Sequence, residues 1–247
     1  MTTPKPSTTQ GENRFSIRLL KEDPTESDLV WSMVVRNISN SMILGITLKG
    51  IRHPLLSVGT LMVFAVVYQY LGNIVVSGAV ATGGLVCISY ANAYYGLKYR
   101  LFNSKSSPDG SHKMYAHYNS GQRGRRYWVA EHDGVIIGGV GIQEQQKSTT
   151  RKSGERRTTV AELKRMAVEP EYRRMAVAKA LLDTAIEFAK QQGYDVIILD
   201  TSEIQREAMR FYLKCGFEEI GVTRCDTVFP LFSYNLHNFR RRPNKKA

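Results

Sequence analysis

One stretch of this chain carries residue types spaced for chemistry. Glu162, Leu163, Lys164, Arg165, Met166, Ala167 and Val168 have the character of a strand. They run directly into Glu169, Pro170, Glu171, Tyr172, Arg173, Arg174, Met175, Ala176, Val177 and Ala178. Pro170 breaks the strand, and beyond it Ala178, Leu181, Leu182, Ala185 and Phe188 fall on one face of a helix that Gly193 stops. A strand feeding a basic turn that opens a long helix makes an anion site. The first helical amides have no intrahelical acceptor, and the helix dipole adds partial positive charge at the same end. A second helix follows, in which Ile204, Ala208, Phe211 and Cys215 line the inner face. Ser202 with Gln205 gives a capping-box pattern at its start, and Gly216 is placed to end it as a left-handed cap.

These helices need a sheet to position them. A short strand is predicted over residues 15–20, then an amphipathic helix through Val30, Met33, Val34 and Ile38. Strands follow at residues 127–130 and 135–142, joined by Asp133 and Gly134, a strong hairpin signal. Residues 103–111 are rich in Ser, Pro and Gly, and residues 143–159 are polar, basic and aperiodic, so both are expected to be loops. Further strands are predicted at 160–168, 196–199, 218–222 and 229–236. The order is β-α, an apolar insertion, then ββ-β-α-β-α-ββ, a mixed α/β sheet flanked by helices.

The insertion is the other strong signal. Residues 54–97 contain no Asp, Glu, Lys or Arg. As one helix they would span about 66 Å, roughly twice the hydrocarbon thickness of a bilayer. Two helices fit better, near 55–71 and 74–95, turning at Gly72 and Asn73. Tyr68, Tyr70, Tyr90, Tyr94 and Tyr95 suit the interfacial belts, and Gly78, Ala79, Ala81, Gly83 and Gly84 allow close helix packing. A single span plus an interfacial segment is the alternative. Lys49 and Arg52 precede the run and Lys98 and Arg100 follow it, so the positive-inside rule puts both ends in the cytosol. Asn37, Ile38 and Ser39 form a glycosylation sequon that cytosolic flanks would leave unused.

The net charge of +12 suggests an acidic partner: anionic lipid, an anionic small molecule or nucleic acid. Nucleic acid is the weakest of the three, because neither zinc-ligand spacing nor an aromatic RNA-binding signature accompanies the charge. No metal site is expected. Cys87, Cys215 and Cys225 are odd in number and lack framework spacing, which fits thiols in a reducing compartment. The polar first fifteen residues show no signal-peptide pattern. Arg240, Arg241, Arg242, Lys245 and Lys246 make a basic tail, either solvated or drawn to an anionic leaflet. The expected organisation is a polar tail (1–13), the strand and helix that begin the globular domain (14–50), a transmembrane hairpin (54–97), the main domain (112–239) and the basic tail (240–247).

The strand, the Arg173–Ala178 turn and the "AMRFYLKCGF" helix together resemble the GNAT acetyltransferase superfamily. "ELKRMAV", "AKALLDTAIEFAKQQGYDVIILDTS" and the position of the hairpin are similar to its camello-like branch of membrane N-acetyltransferases. The resemblance implies acetyl-CoA as co-substrate and direct attack of a free amine on its thioester. It implies a splayed strand in which Met166, Ala167 and Val168 bind the pantetheine arm, and a pyrophosphate turn made by Arg173, Arg174, Met175, Ala176, Val177 and Ala178. Tyr212 matches the family position that protonates the departing thiolate, and Glu162 is the candidate base. Lys164 and Arg165 are candidates to receive a substrate carboxylate, so the expected partners are an amine, one bearing a carboxylate included, and a lipid bilayer. The expected location is the endoplasmic reticulum membrane, crossed more than once.

The chain departs from the family at the turn, where Arg174 and Ala176 stand at usual glycine positions. Alanine suits a right-handed helix start, so the fold is expected to survive while a methyl crowds the pyrophosphate. On that reading Ala176→Gly would slightly destabilise the helix start. The departure also supports a second reading: a catalytically weak GNAT-like membrane interaction protein with impaired coenzyme binding.

Overall fold

The computed structural model describes residues 15–105, 109–110, 113–121, 124–145, 158–226 and 233–244. The polar tail of 1–13, most of the loop expected over 143–159, the start of the strand expected at 229 and the last residues of the basic tail lie outside them.

The strands are β1 (Phe15–Leu19), β2 (Arg126–His132), β3 (Val135–Glu144), β4 (Val160–Val168), β5 (Val196–Ser202), β6 (Glu218–Asp226) and β7 (Ser233–Arg241). They form one sheet in the order β1-β2-β3-β4-β5-β7-β6. Only the β4–β5 neighbours run parallel. Asp133 and Gly134 both have positive φ (47° and 79°), the tight turn whose twist matches a hairpin, and they join β2 to β3.

The helices are α1 (Pro24–Ile51), α2 (Pro54–Leu71), α3 (Ile74–Lys105), α4 (Met114–Tyr118), α5 (Val177–Gln191) and α6 (Arg206–Lys214). Asp23 caps α1 by accepting the Thr25 amide at 2.8 Å. Leu181, Leu182 and Ala185 of α5, Tyr212 of α6 and Cys215 just beyond it pack with Ile142, Leu163, Ile197 and Leu199 on one face of the sheet. On the other face, Val30, Trp31 and Val34 of α1 and Met114 and Tyr118 of α4 pack with Tyr127 and Val129. The sheet is therefore a middle layer between two helical ones.

The apolar insertion folds into α2 and α3. Gly72 takes the left-handed cap, and the Asn73 carboxamide oxygen accepts the amides of Val75 and Val76. No residue of α2 is buried. By length and composition α1, α2 and residues Ile74–Leu97 of α3 are each able to cross a membrane. At eighteen residues α2 is about 27 Å long, close to the hydrocarbon thickness of a bilayer. The far half of α1 and of α3 meet again: Met42 and Ile46 bury against Ala93, Leu97 and Tyr234 of β7. Lys49 bonds both Glu203 and the Ser233 carbonyl.

Four elements differ from their sequence expectation, the first being β7, which runs to Arg241, past the strand end expected at 236 and into the expected basic tail. α3 runs ten residues beyond Tyr95, into the segment expected to be loop. α4 was not expected at all, because five residues are too few to show a period. The capping box does not form: β5 continues through Ser202, paired with Leu236, so Gln205 takes the N-cap position without a side-chain bond. The Ser202 hydroxyl instead accepts the Ile204 amide.

Arg18 ties three elements together, donating to Glu26 of α1 and Glu131 of β2. Burial pushes the Glu26 carboxyl up, but hydrogen bonds from Arg18 and the Lys21 amide outweigh it and leave its pKa below the ordinary value. A carboxyl depressed in the folded state stabilises it above the ordinary value near 4.5, and that stabilisation fades as pH falls through the folded value. Arg18→Met should therefore cost about 1–3 kcal/mol at neutral pH. The gap to the parent should close in acid, as read from urea unfolding over a pH series.

Candidate functional site

The site begins where β4 leaves β5. Their parallel pairing covers Val160 to Glu162 against Val196 to Ile198 and then stops. From Leu163 onward β4 keeps β3 on one side and has no strand on the other, while β5 keeps β7 on its far edge from Ile197 through Ser202. The sheet is parted there, leaving an open backbone edge along Leu163 to Val168.

Opposite this edge, β4 carries a bulge. Gly141 pairs with Lys164 and Gly139 with Ala167, so β4 spends one residue more than β3 over the same distance. Arg165 sits in the bulge with φ at 53°. The consequence is visible in the side chains. Ala161 and Leu163 point into the core under α5 and α6, and after the bulge Met166 and Val168 take over that face. Glu162, Lys164 and Arg165 point to the other face.

On that other face lies a cleft of about 920 Å³. Glu162 lines it beside His117, Gln143 and Lys164, with Ile198 and Asp200 of β5 and Leu236 and Asn238 of β7 forming the far wall. The Gln143 amide donates to Glu162 Oε2 at 3.2 Å, Lys164 Nζ lies 3.5 Å from the same oxygen, and His117 Nε2 contacts Gln143 Oε1 at 2.8 Å. His117 and Gln143 escaped the sequence reading because α4 has no pattern to find and Gln143 was assigned to a loop. Lys164 faces the cleft. Arg165 does not line the cleft: its guanidinium donates from Nε and Nη2 to Asp109, at 2.9 and 3.1 Å. Of the two candidate carboxylate receivers, Lys164 lines the cleft and Arg165 is engaged with Asp109.

Tyr212 stands on the opposite face, on α6. Its hydroxyl donates to Met166 Sδ at 3.6 Å, a weak acceptor, so the phenol lies against the open stretch of β4. Phe211, Phe217 and Phe239 surround the ring, and burial pushes the phenol pKa up, keeping the proton on at neutral pH. Glu162 and Tyr212 are thus separated by the sheet and share its parting.

The basic turn lies on Tyr212's side. A hollow of about 640 Å³ is bounded by Pro170, Glu171, Arg173 and Arg174 of the turn and by Glu207 of α6. Helix α5 starts at Val177 with no side-chain cap, leaving the amides of Val177 and Ala178 open to an anion. Arg174 borders the hollow, whereas Arg173 also reaches away to donate to Asn37 of α1 at 3.0 Å. Asn37 and Arg36 both bond Glu169, so α1 braces the turn from behind. These features suit a diphosphate: uncapped amides, a positive helix end and arginine arms.

The expected right-handed start at Ala176 is not what forms. Ala176 has φ at 60° and Arg174 at 66°, both left-handed. The glycine conformations of this turn are retained with residues that bear a Cβ, at a cost of about 1–2 kcal/mol each.

A mixed sheet parted between two parallel strands, with a basic uncapped helix start beside the parting, defines the GNAT fold. Residues 93–217, half of the chain, match the acetyltransferase (GNAT) family, and the protein belongs to it. Human N-acetyltransferase 8 is 40% identical over 100 residues, which cover 40% of this chain and 41% of the relative. A camello N-acetyltransferase of Xenopus tropicalis is 33% identical over 96 residues, covering 39% and 40%. The matched region thus spans about two fifths of these relatives. Among solved structures, a GNAT acetyltransferase from Desulfovibrio desulfuricans superposes with a TM-score of 0.47 at 13% identity, covering 93% of this chain and 99% of that one.

The strained turn makes a prediction opposite in sign to the one drawn from helix propensity. Ala176→Gly should stabilise the protein by about 0.5–1 kcal/mol, since relief of the left-handed alanine exceeds the added flexibility of the unfolded glycine. Thermal melts measure the first effect. Calorimetric titration with coenzyme A should show tighter binding by several-fold once the Cβ is gone.

Proposed function

We propose that the protein is a membrane-anchored N-acetyltransferase that moves the acetyl group of acetyl-CoA to a free amine. The observation that carries this reading is the parting of β4 from β5, with Glu162 on one side of the sheet and Tyr212 with the basic turn on the other. Bound coenzyme supplies the acetyl group as a thioester, already activated toward amines. Val177, Ala178 and Arg174 hold its diphosphate, with Arg173 alongside, and the open β4 edge at Met166, Ala167 and Val168 accepts the pantetheine arm as a further strand would be accepted. Backbone amides along this edge polarise the thioester carbonyl. The amine arrives from the opposite face, through the cleft.

Glu162 takes the proton that the incoming ammonium must lose, directly or through water, and Gln143 keeps the carboxylate oriented. The nitrogen–carbon bond forms as the carbon–sulfur bond breaks, and Tyr212 gives its proton to the leaving sulfur. Lys164 is the cleft's cation for an acceptor that carries a carboxylate. Both α2 and the apolar part of α3 cross the bilayer, with Lys49, Arg52, Lys98 and Arg100 at the cytosolic surface of the endoplasmic reticulum. The left-handed Arg174 and Ala176 favour the enzyme over a catalytically weak relative, because the turn keeps its phosphate-binding shape without glycine.

Labelled acetyl-CoA and a panel of amines, offered to the full chain in nanodiscs, test the reaction; no acetylated product with any amine class would remove it. Tyr212→Phe should lower kcat by roughly 10²-fold with little change in melting temperature. Glu162→Gln should depress turnover most at low pH, where the amine is protonated, and a uniform loss across pH would argue against the base role.

The anchoring reading has its own test. Tags at both termini should be digested by protease added to sealed microsomes, and protection of one tag alone would show an odd number of crossings, one or three.

A further inference from the structure

The bulge in β4 is held from outside the strand. Arg165 lies in the left-handed region, which costs a residue with a Cβ about 1–2 kcal/mol. Its side chain is anchored by two groups and its carbonyl by a third. The guanidinium makes a bidentate pair with Asp109, whose carboxylate is 3% exposed, and it lies 5.1 Å from the centre of the Trp31 ring. The Tyr118 hydroxyl donates to Asp109 Oδ2 at 3.2 Å, and the Tyr127 hydroxyl donates to the Arg165 carbonyl at 3.0 Å. Burial pushes both phenols up, so they remain donors.

The facing strand is shaped for the same cluster. A Cβ at Gly139 would stand 2.7 Å from the Tyr127 hydroxyl, and one at Gly141 would stand 2.9 Å from the Tyr127 ring and 3.0 Å from that of Tyr118. Any side chain at these positions would push out the tyrosines that complete the clamp. A buried ion pair is a poor source of stability, because desolvation offsets most of its attraction. What this pair supplies is geometry. It keeps Arg165 on the α1 face, and the chain must then turn Met166 and its backbone toward Tyr212.

We propose that Asp109 and Arg165 are positioning residues for acetyl transfer: their clamp enforces the β4 bulge and thereby aims the Met166–Val168 backbone at the thioester. This rests on the acetyltransferase reading above. Arg165 does not line the acceptor cleft, and Asp109, at the edge of that cleft, has its carboxylate 3% exposed and engaged by Arg165 and Tyr118. A misaimed amide edge affects the chemical step more than the grip on coenzyme, whose diphosphate is held separately by the turn before α5.

The test uses the full chain in nanodiscs with Asp109→Asn, Arg165→Ala and Arg165→Gly. Asp109→Asn and Arg165→Ala should each lower kcat at saturating acetyl-CoA by roughly 10- to 100-fold, the scale of a small misplacement at a reacting centre. The calorimetric Kd for free coenzyme A should stay within about threefold. Arg165→Gly, which adopts the left-handed backbone without the Cβ penalty, should recover part of the kcat lost in Arg165→Ala. Hydrogen exchange should quicken in the β4 peptide of Arg165→Ala and not in α5. Parental kcat in Asp109→Asn and Arg165→Ala would overturn the proposal. So would a fall in kcat matched by an equal weakening of coenzyme binding and faster exchange throughout, which marks a general structural role. A parent that binds no coenzyme A and acetylates no amine would instead remove the acetyltransferase reading itself.

Discussion

Two consecutive side chains on one face of a strand, Lys164 and Arg165, are the constraint from which the rest of the site follows. Ordinary alternation would send Met166 toward α1 and leave Tyr212 facing the wrong side of its neighbour. The extra residue reverses the parity of β4, so that the strand serves the α1 face up to Arg165 and the α6 face beyond it. The loss of pairing with β5 occurs over the same residues. Bulge and parting together convert an interior strand, normally bonded on both edges, into one with a free edge inside the protein.

The two faces of the sheet then have different jobs and different chemistry. The α5–α6 face is apolar up to the strand edge and ends in a cationic helix start, which suits a long, partly apolar, phosphate-bearing molecule. The cleft face carries Glu162, Lys164, His117 and Gln143 within mutual hydrogen-bonding range or close to it, which suits a polar acceptor that must exchange a proton. The sheet keeps these environments apart except at the parting. Arg173 and Asn37 show that the side of the basic turn is also coupled to α1, a helix whose other contacts are with the opposite layer and with α3.

Much of this was legible in the sequence wherever a signal is local. The Asp133-Gly134 hairpin, the α5 stripe ending at Gly193, the cap at Gly216 and the basic turn are all written in runs of a few residues. The bulge left only a local hint, the successive charges Lys164 and Arg165 that interrupt the Glu162-Leu163-Lys164 alternation, and the residues that hold it come from elsewhere. Asp109 and Arg165 are 56 positions apart. α4 is too short to show a period, yet it supplies Tyr118 and His117. The conformation of Ala176 was misjudged because helix propensity describes interiors, and the residue lies just outside the helix, where the turn dictates a left-handed backbone. Ser202 looked like a cap only because the reach of β5, set by its pairing with β7, cannot be read from its own residues.

Helices α1 and α3 each belong to two structures at once. One end of α1 packs beneath the sheet through Trp31 and Val34, and its other end meets α3 and β7 through Met42, Ile46 and Lys49. α3 is 32 residues, about 48 Å, and carries the second arm of the apolar hairpin past Leu97 to Lys105 without a break. Among the described residues, the helices that carry the hairpin pack directly on one another and on β7. In a bilayer such a chain behaves as a mast bolted to its deck: any tilt the helices adopt to match membrane thickness becomes an inclination of the whole sheet. The angle and height at which the cleft addresses the surrounding water would then be a property of the lipid, tuned by hydrocarbon thickness rather than by diffusion on a leash.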